Sequence, residues 1–352
     1  MGIFVQMGRK AAKSLHQVEV FVTLGSGMKR VVVTGATGQI AYSLLFRIGS
    51  GEVFGDEKIA LHLYDLPGME KGLEGVVMEL QDCAYPFLEE VRYGSDLKEL
   101  FSEVDLALLV GAKPRGPGME RGDLLKDNGT IFVEQGRVLN QVASRDVKVV
   151  VVGNPCNTNA LIAMESAPNL PRKNFHAMMR LDQNRAMALL ARKAGRSIGE
   201  VSPLVVWGNH SATQVPDYPN ASIGGHSATE IINDLTWLQG EFLTTVQKRG
   251  AAIIQARGKS SAASAANGVI DHVKSLYNPT PEGTWFSSAV CSDGNPYGIQ
   301  EGIIFGFPCR SSGDGSYEIV PHLPWNSFIE ERIRVTEKEL LEEKECVEEM
   351  FV

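Results

Sequence analysis

Residues 31–48 constrain the fold more than any other stretch of the chain. Val31-Val32-Val33-Thr34 is a run of β-branched residues that ends at Gly35, and such residues pack well on a pleated sheet. From Gln39 the period changes. Ile40, Ala41, Leu44, Leu45 and Ile48 fall on one face of a helix. A strand that feeds a helix through a glycine turn is the opening half of a right-handed βαβ unit. The turn reads Gly35-Ala36-Thr37-Gly38-Gln39-Ile40-Ala41. Gly35 allows the tight turn, Gly38 lets the backbone approach a pyrophosphate, and Ala41 permits close packing of helix on strand. The helix N-terminus then offers unpaired N–H groups and the positive end of its dipole. Placed between a strand and an amphipathic helix, this turn points to dinucleotide binding.

The same alternation continues. Ile59 to Tyr64, Leu106 to Val110 and Val147 to Val152 read as further strands, and Leu124, Leu125, Ile131, Phe132, Val138 and Leu139 mark a helix between the last two. Alternating strands and helices imply a parallel sheet, and the near-continuous apolar runs suit strands buried on both faces. Asp65 closes the second strand. A carboxylate there hydrogen-bonds the adenosine ribose and repels a 2′-phosphate, which favours NAD over NADP.

After about residue 179 helical stretches dominate: Gln183 to Ala194, Thr229 to Arg249, Ala262 to Tyr277 and Glu337 to Met350, with Leu204 to Trp207 the clearest strand. The expected division is therefore an extension over 1–27, a dinucleotide-binding domain over 28–178 and a catalytic domain over 179–352. The acids Glu343, Glu345, Glu348 and Glu349 read as a solvated helix face opposite Leu340, Leu341, Val347 and Met350.

Three segments carry chemistry. Arg180-Leu181-Asp182-Gln183-Asn184-Arg185 holds an acid and two arginines. Trp207-Gly208-Asn209-His210-Ser211 follows a strand and holds a base. Histidine is the usual side chain for moving a proton near neutral pH, and a carboxylate on its second nitrogen fixes the tautomer. Sequence alone does not bring Asp182 and His210 together. Lys113-Pro114-Arg115-Gly116-Pro117-Gly118-Met119-Glu120-Arg121 is a Gly/Pro-rich loop after a strand, where parallel-sheet proteins bind ligands. Its arginines suit a carboxylate.

The formal net charge of −8, from 34 basic and 42 acidic side chains, argues against a nucleic-acid or anionic-membrane partner. The apolar runs are short of the ~18 residues that span a bilayer. Cys83, Cys156, Cys291, Cys309 and Cys346 stand singly. They suggest a reducing compartment and no structural zinc or other metal site. Residues 1–27 carry Arg9, Lys10 and Lys13 against Glu19 and end in Leu24-Gly25-Ser26-Gly27. They read as an unstructured extension, or as the result of a start assigned ahead of Met28. They make a poor transit peptide, so cytoplasmic location is the expectation.

From Met28 to its end the chain resembles the malate dehydrogenases of the lactate/malate dehydrogenase superfamily, in the branch of cytosolic and plastid enzymes. The resemblance rests on the glycine turn, Val77-Met78-Glu79-Leu80-Gln81-Asp82, Pro114-Arg115 through Met119-Glu120-Arg121, Val152-Gly153-Asn154-Pro155, Leu181 to Arg185 and Trp207 to Ser211. It implies a Rossmann-type doubly wound parallel sheet domain followed by a mixed α/β catalytic domain, usually paired as a homodimer. It implies NAD as cofactor, with contacts at Gly35, Gly38, Gln39, Ile40, Asp65, Gln135 and Asn154. His210 would be the acid/base with Asp182 as partner, and Arg185 would clamp the substrate's C1 carboxylate. Arg121 would polarise the reacting carbonyl, Arg115 would bind the distal carboxylate, and Asn154 would bond the substrate oxygen. Asn154-Pro155 is often a cis bond in this family. The substrate pair would be malate and oxaloacetate.

Two departures stand out. Gly111 to Gly118 and Pro308-Cys309-Arg310-Ser311 look closest to the plastid NADP-dependent enzyme, which lacks an acid at the Asp65 place. That enzyme is switched by N- and C-terminal disulfides. Here no Cys precedes Cys83 and only Cys346 follows Cys309, so no thioredoxin-type switch is expected. Alternatives are NADP dependence, a lactate dehydrogenase on the same scaffold, and a non-catalytic dinucleotide-sensing module. Short-chain reductases use Tyr-x-x-x-Lys, and no tyrosine here has Lys four residues on.

Overall fold

The computed structural model describes residues 27–113 and 121–351. Its first half runs β1 (Lys29–Thr34), α1 (Gln39–Gly49), β2 (Ile59–Tyr64), α2 (Glu70–Asp82), β3 (Leu88–Gly94), α3 (Leu97–Leu100), β4 (Leu106–Leu109), α4 (Arg121–Val142), β5 (Lys148–Val151), α5 (Cys156–Glu165) and β6 (Phe175–Ala177). These strands are parallel and lie in the order β3-β2-β1-β4-β5-β6. Val31, Val32, Val33, Leu106, Leu108, Val149 and Val150 are fully buried, as strands covered on both faces must be. The order reverses between β1 and β4, and at such a switch point an open α/β sheet leaves a crevice.

The second half runs α6 (Arg180–Ala194), β7 (Val206–Trp207), β8 (Val215–Pro216), β9 (Ser222–Ile223), β10 (His226–Ser227), α7 (Ala228–Ile232), α8 (Leu235–Trp237), α9 (Leu243–Arg257), α10 (Ala263–Tyr277), β11 (Phe286–Cys291), β12 (Ile304–Arg310), β13 (Glu318–Ile319) and α11 (Ser327–Glu345). β11 pairs antiparallel with β6, so β11, β12 and β13 extend the first sheet to nine strands. β7–β8 and β9–β10 form separate two-stranded sheets. α10 packs across the back of α1 and α6, with Ala266, Val269, Ile270 and Val273 buried against the first sheet's core.

Several elements depart from the sequence pattern. The helix expected over 229–249 is broken. Asn233 turns left-handed (φ 46°) and ends α7, and the Asp234 carboxylate caps α8 by accepting from the Trp237 amide at 2.9 Å. Short polar side chains favour such ends over helix interiors. The strand expected from Leu204 shrinks to Val206–Trp207. β3, β6, β11 and β12 fall outside the expected set. β11 shows why: its serines interrupt the apolar run, yet the whole strand is buried. Ser287 Oγ accepts from the Val206 amide at 2.9 Å, and Ser288 bonds His176 at 3.0 Å. α11 begins at Ser327 rather than Glu337, capped by Asn326, whose side chain accepts from the Ile329 amide. The acidic face expected to be solvated is not wholly so, because Glu343 is buried and bonded to Thr158 and Asn209.

Candidate active site

At the switch point β1 and β4 leave the sheet together. Gly35 has φ +64°, and a Cβ there would lie 2.7 Å from the Cα of Gly111. A Cβ at Gly111 would meet the Gly35 nitrogen at 3.0 Å. Neither position has room for a side chain, so the two chain ends meet backbone to backbone. Gly38 is the N-cap of α1, which has no side-chain cap. Its first-turn amides are therefore left for a ligand.

A cavity of about 640 Å³ opens above this turn, lined by Gly35, Thr37, Gly38, Gln39, Ile40, Asp65, Val110 to Lys113, Gln135 and Ser260 to Ala262. The Asp65 carboxylate is 8% exposed. One of its oxygens accepts from the Thr37 amide (2.9 Å) and hydroxyl (2.6 Å), the other from the Leu66 amide at 2.8 Å. The acid is thus tied to the glycine turn and still has an acceptor position to offer. Lys113 is the one Lys or Arg among the described lining residues, and its Nζ is paired with Asp127 at 2.6 Å. Gln135 is 2% exposed, and its Oε1 is a buried acceptor without a hydrogen-bond partner among the described residues. An uncapped helix end, an acid tied to the glycine turn and a buried amide with a free acceptor among the described residues together suit a dinucleotide.

His210 and Asp182 do meet. His210 Nδ1 bonds Asp182 Oδ2, and Arg185 Nη1 donates to Asp182 Oδ1 at 3.0 Å. Asp182 is fully buried. Burial pushes its carboxyl up, but the His210 imidazole beside it, then Arg185 and Gln214, outweigh that and hold it below the usual carboxylate range. An ionised carboxylate only accepts, so Nδ1 carries a hydrogen and Nε2 is left to exchange a proton. Arg185 also reaches Ser261 Oγ at 3.4 Å, and Ser261 lines the dinucleotide cavity. The acid/base pair is thus linked to the crevice through one arginine.

The packing around β7 explains why His210 stands where it does. Trp207 is fully buried among Tyr297 (4.8 Å), Trp325 (5.3 Å) and Phe307 (6.4 Å), and its Nε1 donates to Asp217 at 2.8 Å. The His210 amide donates to Asn157 Oδ1 at 3.0 Å, while Asn157 Nδ2 donates to the carbonyls of Gly208 and Ile304. Asn157, Thr37, Gln214 and Ser261 are absent from the sequence-derived set. Asn157 lies three residues from Asn154 and Gln214 four residues from His210, and that proximity was the only signal they carried. Asn154-Pro155 is cis, as the resemblance implied. Asn154 itself is exposed, and its carbonyl accepts from Asn128 at 3.2 Å. Arg115 and the side chain of Arg121 lie outside the described residues, as do residues 1–26.

A base beside a dinucleotide crevice can take the proton of a hydroxyl whose carbon gives up hydride, and the class so defined is that of the nicotinamide-dependent oxidoreductases. The chain belongs to the lactate/malate dehydrogenase family. That family's NAD binding domain matches residues 29–176 and its alpha/beta C-terminal domain residues 179–351. The chain is 57% identical over 318 residues to a chloroplastic malate dehydrogenase [NADP] of Sorghum bicolor, covering 90% of this chain and 74% of that one. It is 55% identical over 319 residues to a malate dehydrogenase of Protochlamydia amoebophila, covering 90% and 97%. A crystal structure of malate dehydrogenase from Naegleria fowleri superposes with a TM-score of 0.89 at 47% identity, over 92% of this chain and 99% of that one.

Proposed function

We propose that the chain is an NAD-dependent malate dehydrogenase that moves a hydride reversibly between (S)-malate and NAD. The observation that carries this reading is the buried Asp182 carboxylate, which holds His210 on one oxygen and Arg185 on the other. The names of its relatives support malate as substrate.

When bound, the nicotinamide supplies the carbon that accepts the hydride. The α1 N-terminus and Gly38 would hold the pyrophosphate, Asp65 the adenosine ribose, and Gln135 and Asn154 would contribute contacts further along the crevice. His210 Nε2 takes the hydroxyl proton of malate, and Asp182 stabilises the imidazolium that forms. Arg185 has donors beyond those used on Asp182 and Ser261, and these pair with the C1 carboxylate. Arg121 polarises the carbonyl and Arg115 takes the distal carboxylate. Those two roles come from the family resemblance. Pairing of two copies and a cytoplasmic site of action belong to the same reading, and sedimentation tests the first.

The Sorghum bicolor relative favours an NADP-dependent reading, and Asp65 opposes it, since a carboxylate at that place repels a 2′-phosphate. Loss of absorbance at the reduced-nicotinamide band, with oxaloacetate or pyruvate and NADH or NADPH, separates the cases. Turnover confined to oxaloacetate with NADH is expected. Preference for NADPH defeats the Asp65 argument, and turnover of pyruvate defeats Arg115 as selector. Asp65→Ser should lower kcat/KM for NADH roughly tenfold, the scale of a lost hydrogen bond to a charged group.

A further inference from the structure

Two acids of α11 face inward one turn apart, and both reach the segment that carries His210. Asn209 donates both N–H groups of its side-chain amide, one to Glu339 Oε2 at 3.0 Å and one to Glu343 Oε1 at 2.8 Å. On the other side of His210, Ser211 Oγ donates to Glu339 Oε2, and Thr213 Oγ1 reaches the same oxygen at 2.6 Å. The Asn209 backbone amide donates to Thr336 Oγ1 at 2.9 Å, one turn before Glu339. Gly208 has φ +90°, and a Cβ there would overlap the Thr336 side chain, so α11 lies directly against this backbone. Thr158 of α5 donates to the second oxygen of Glu343 and holds it from behind.

We propose that Glu339 and Glu343 are positioning residues for catalysis: together they clamp Asn209 and Ser211, the two neighbours of His210, and so aim its imidazole. Asp182 fixes the ring's tautomer from one side, while the α11 acids fix the main chain from which the ring projects. A carboxylate only accepts, so the clamp requires a side chain at position 209 that donates twice and carries no charge. Asparagine meets both conditions. Aspartate has nearly the same shape and meets neither, and it would set a third carboxylate against two.

This deepens the malate dehydrogenase reading, and its kinetic arm rests on it. Asn209→Asp should lower kcat for oxaloacetate reduction roughly tenfold to a hundredfold, the cost of misplacing a catalytic group by about an ångström. The affinity for NADH, set in the crevice, should stay within about twofold. The double variant Asn209→Asp with Glu339→Gln exchanges donor for acceptor on the Glu339 side alone and should recover part of the lost rate, because the new carboxylate still faces Glu343. The ¹⁵N signals of the His210 ring, assigned by their loss in His210→Asn, should shift in Asn209→Asp and return in part in the double variant.

Parental kcat and unshifted ring signals in folded Asn209→Asp overturn the proposal. So does a slow Asn209→Asp whose rate and ring signals the exchanged pair leaves unimproved. Should Asn209→Asp not fold, Glu339→Gln alone decides: shifted His210 signals support the clamp and unshifted ones overturn it. Should the parent fail to turn over oxaloacetate, the malate reading falls, and the ring signals alone judge the clamp.

Discussion

The dinucleotide crevice draws most of its chemistry from one βαβ unit. Gly35, Thr37 and Gly38 lie on the turn after β1, and Asp65 follows β2, the next strand of the same unit, and bonds Thr37. The His210 site is assembled from afar. Asn157 comes from α5, Asp182 and Arg185 from α6, and Thr336, Glu339 and Glu343 from α11. A site written in one stretch of chain needs only that stretch to fold. A site gathered from several elements needs all of them in register, and it is as sensitive to a residue far down the chain as to its own neighbours.

If the two regions are as separable as this suggests, His210→Asn should cut kcat by about 10²–10⁴-fold, the worth of a general acid/base. Dinucleotide affinity, followed by reduced-nicotinamide fluorescence, should stay near the parent's. Loss of both together would break the comparison. Gly35→Ala should do the reverse. A left-handed backbone and a Cβ 2.7 Å from Gly111 together cost about 2–3 kcal/mol, read as a lower urea midpoint. The surviving folded protein should bind dinucleotide weakly.

A third test concerns the core behind both regions. His272 and His176 are fully buried and pack edge to face at 5.5 Å. Burial, then the nearby Arg180, pushes His272 down to about 3, and burial, then His272 and Lys148, pushes His176 well down. The unfolded chain binds these protons more readily than the folded one, so stability falls as pH drops from about 6.5 toward 3. At pH 5 His272 should cost about 2 kcal/mol, and His176 adds to the loss in the same direction. Equilibrium unfolding between pH 7.5 and 5 measures the slope, and His272→Asn should flatten it. The smallest effect expected is none at all: dithiothreitol should leave activity unchanged, and a rise would restore a thiol switch.

The legible parts of the molecule are those where neighbouring residues cooperate. The glycine turn, the Val-rich strands and Asp65 announce themselves because the covering helices on both faces demand continuous apolar runs. β11 does not, because Ser287 and Ser288 are buried on the strength of bonds to residues distant in sequence. His210 and Asp182 stand out as chemistry, but only the fold shows that they touch. Glu343 reads as solvent-facing within a run of acids, and nothing local marks it as the one that Thr158 and Asn209 require.

The seam between the two halves is a backbone ladder. β11 pairs with β6 at Ala289–Ala177 and Val290–His176, so the strand that ends the parallel part is stitched to the first strand of the antiparallel part. Enzymes that close by swinging one lobe over another do so about a flexible connection. Here such a swing would tear main-chain hydrogen bonds. The crevice at the end of β1 and the β6–β11 seam thus belong to one continuous hydrogen-bonded sheet. A lobe that hinged at this seam would have to break the sheet that carries the crevice.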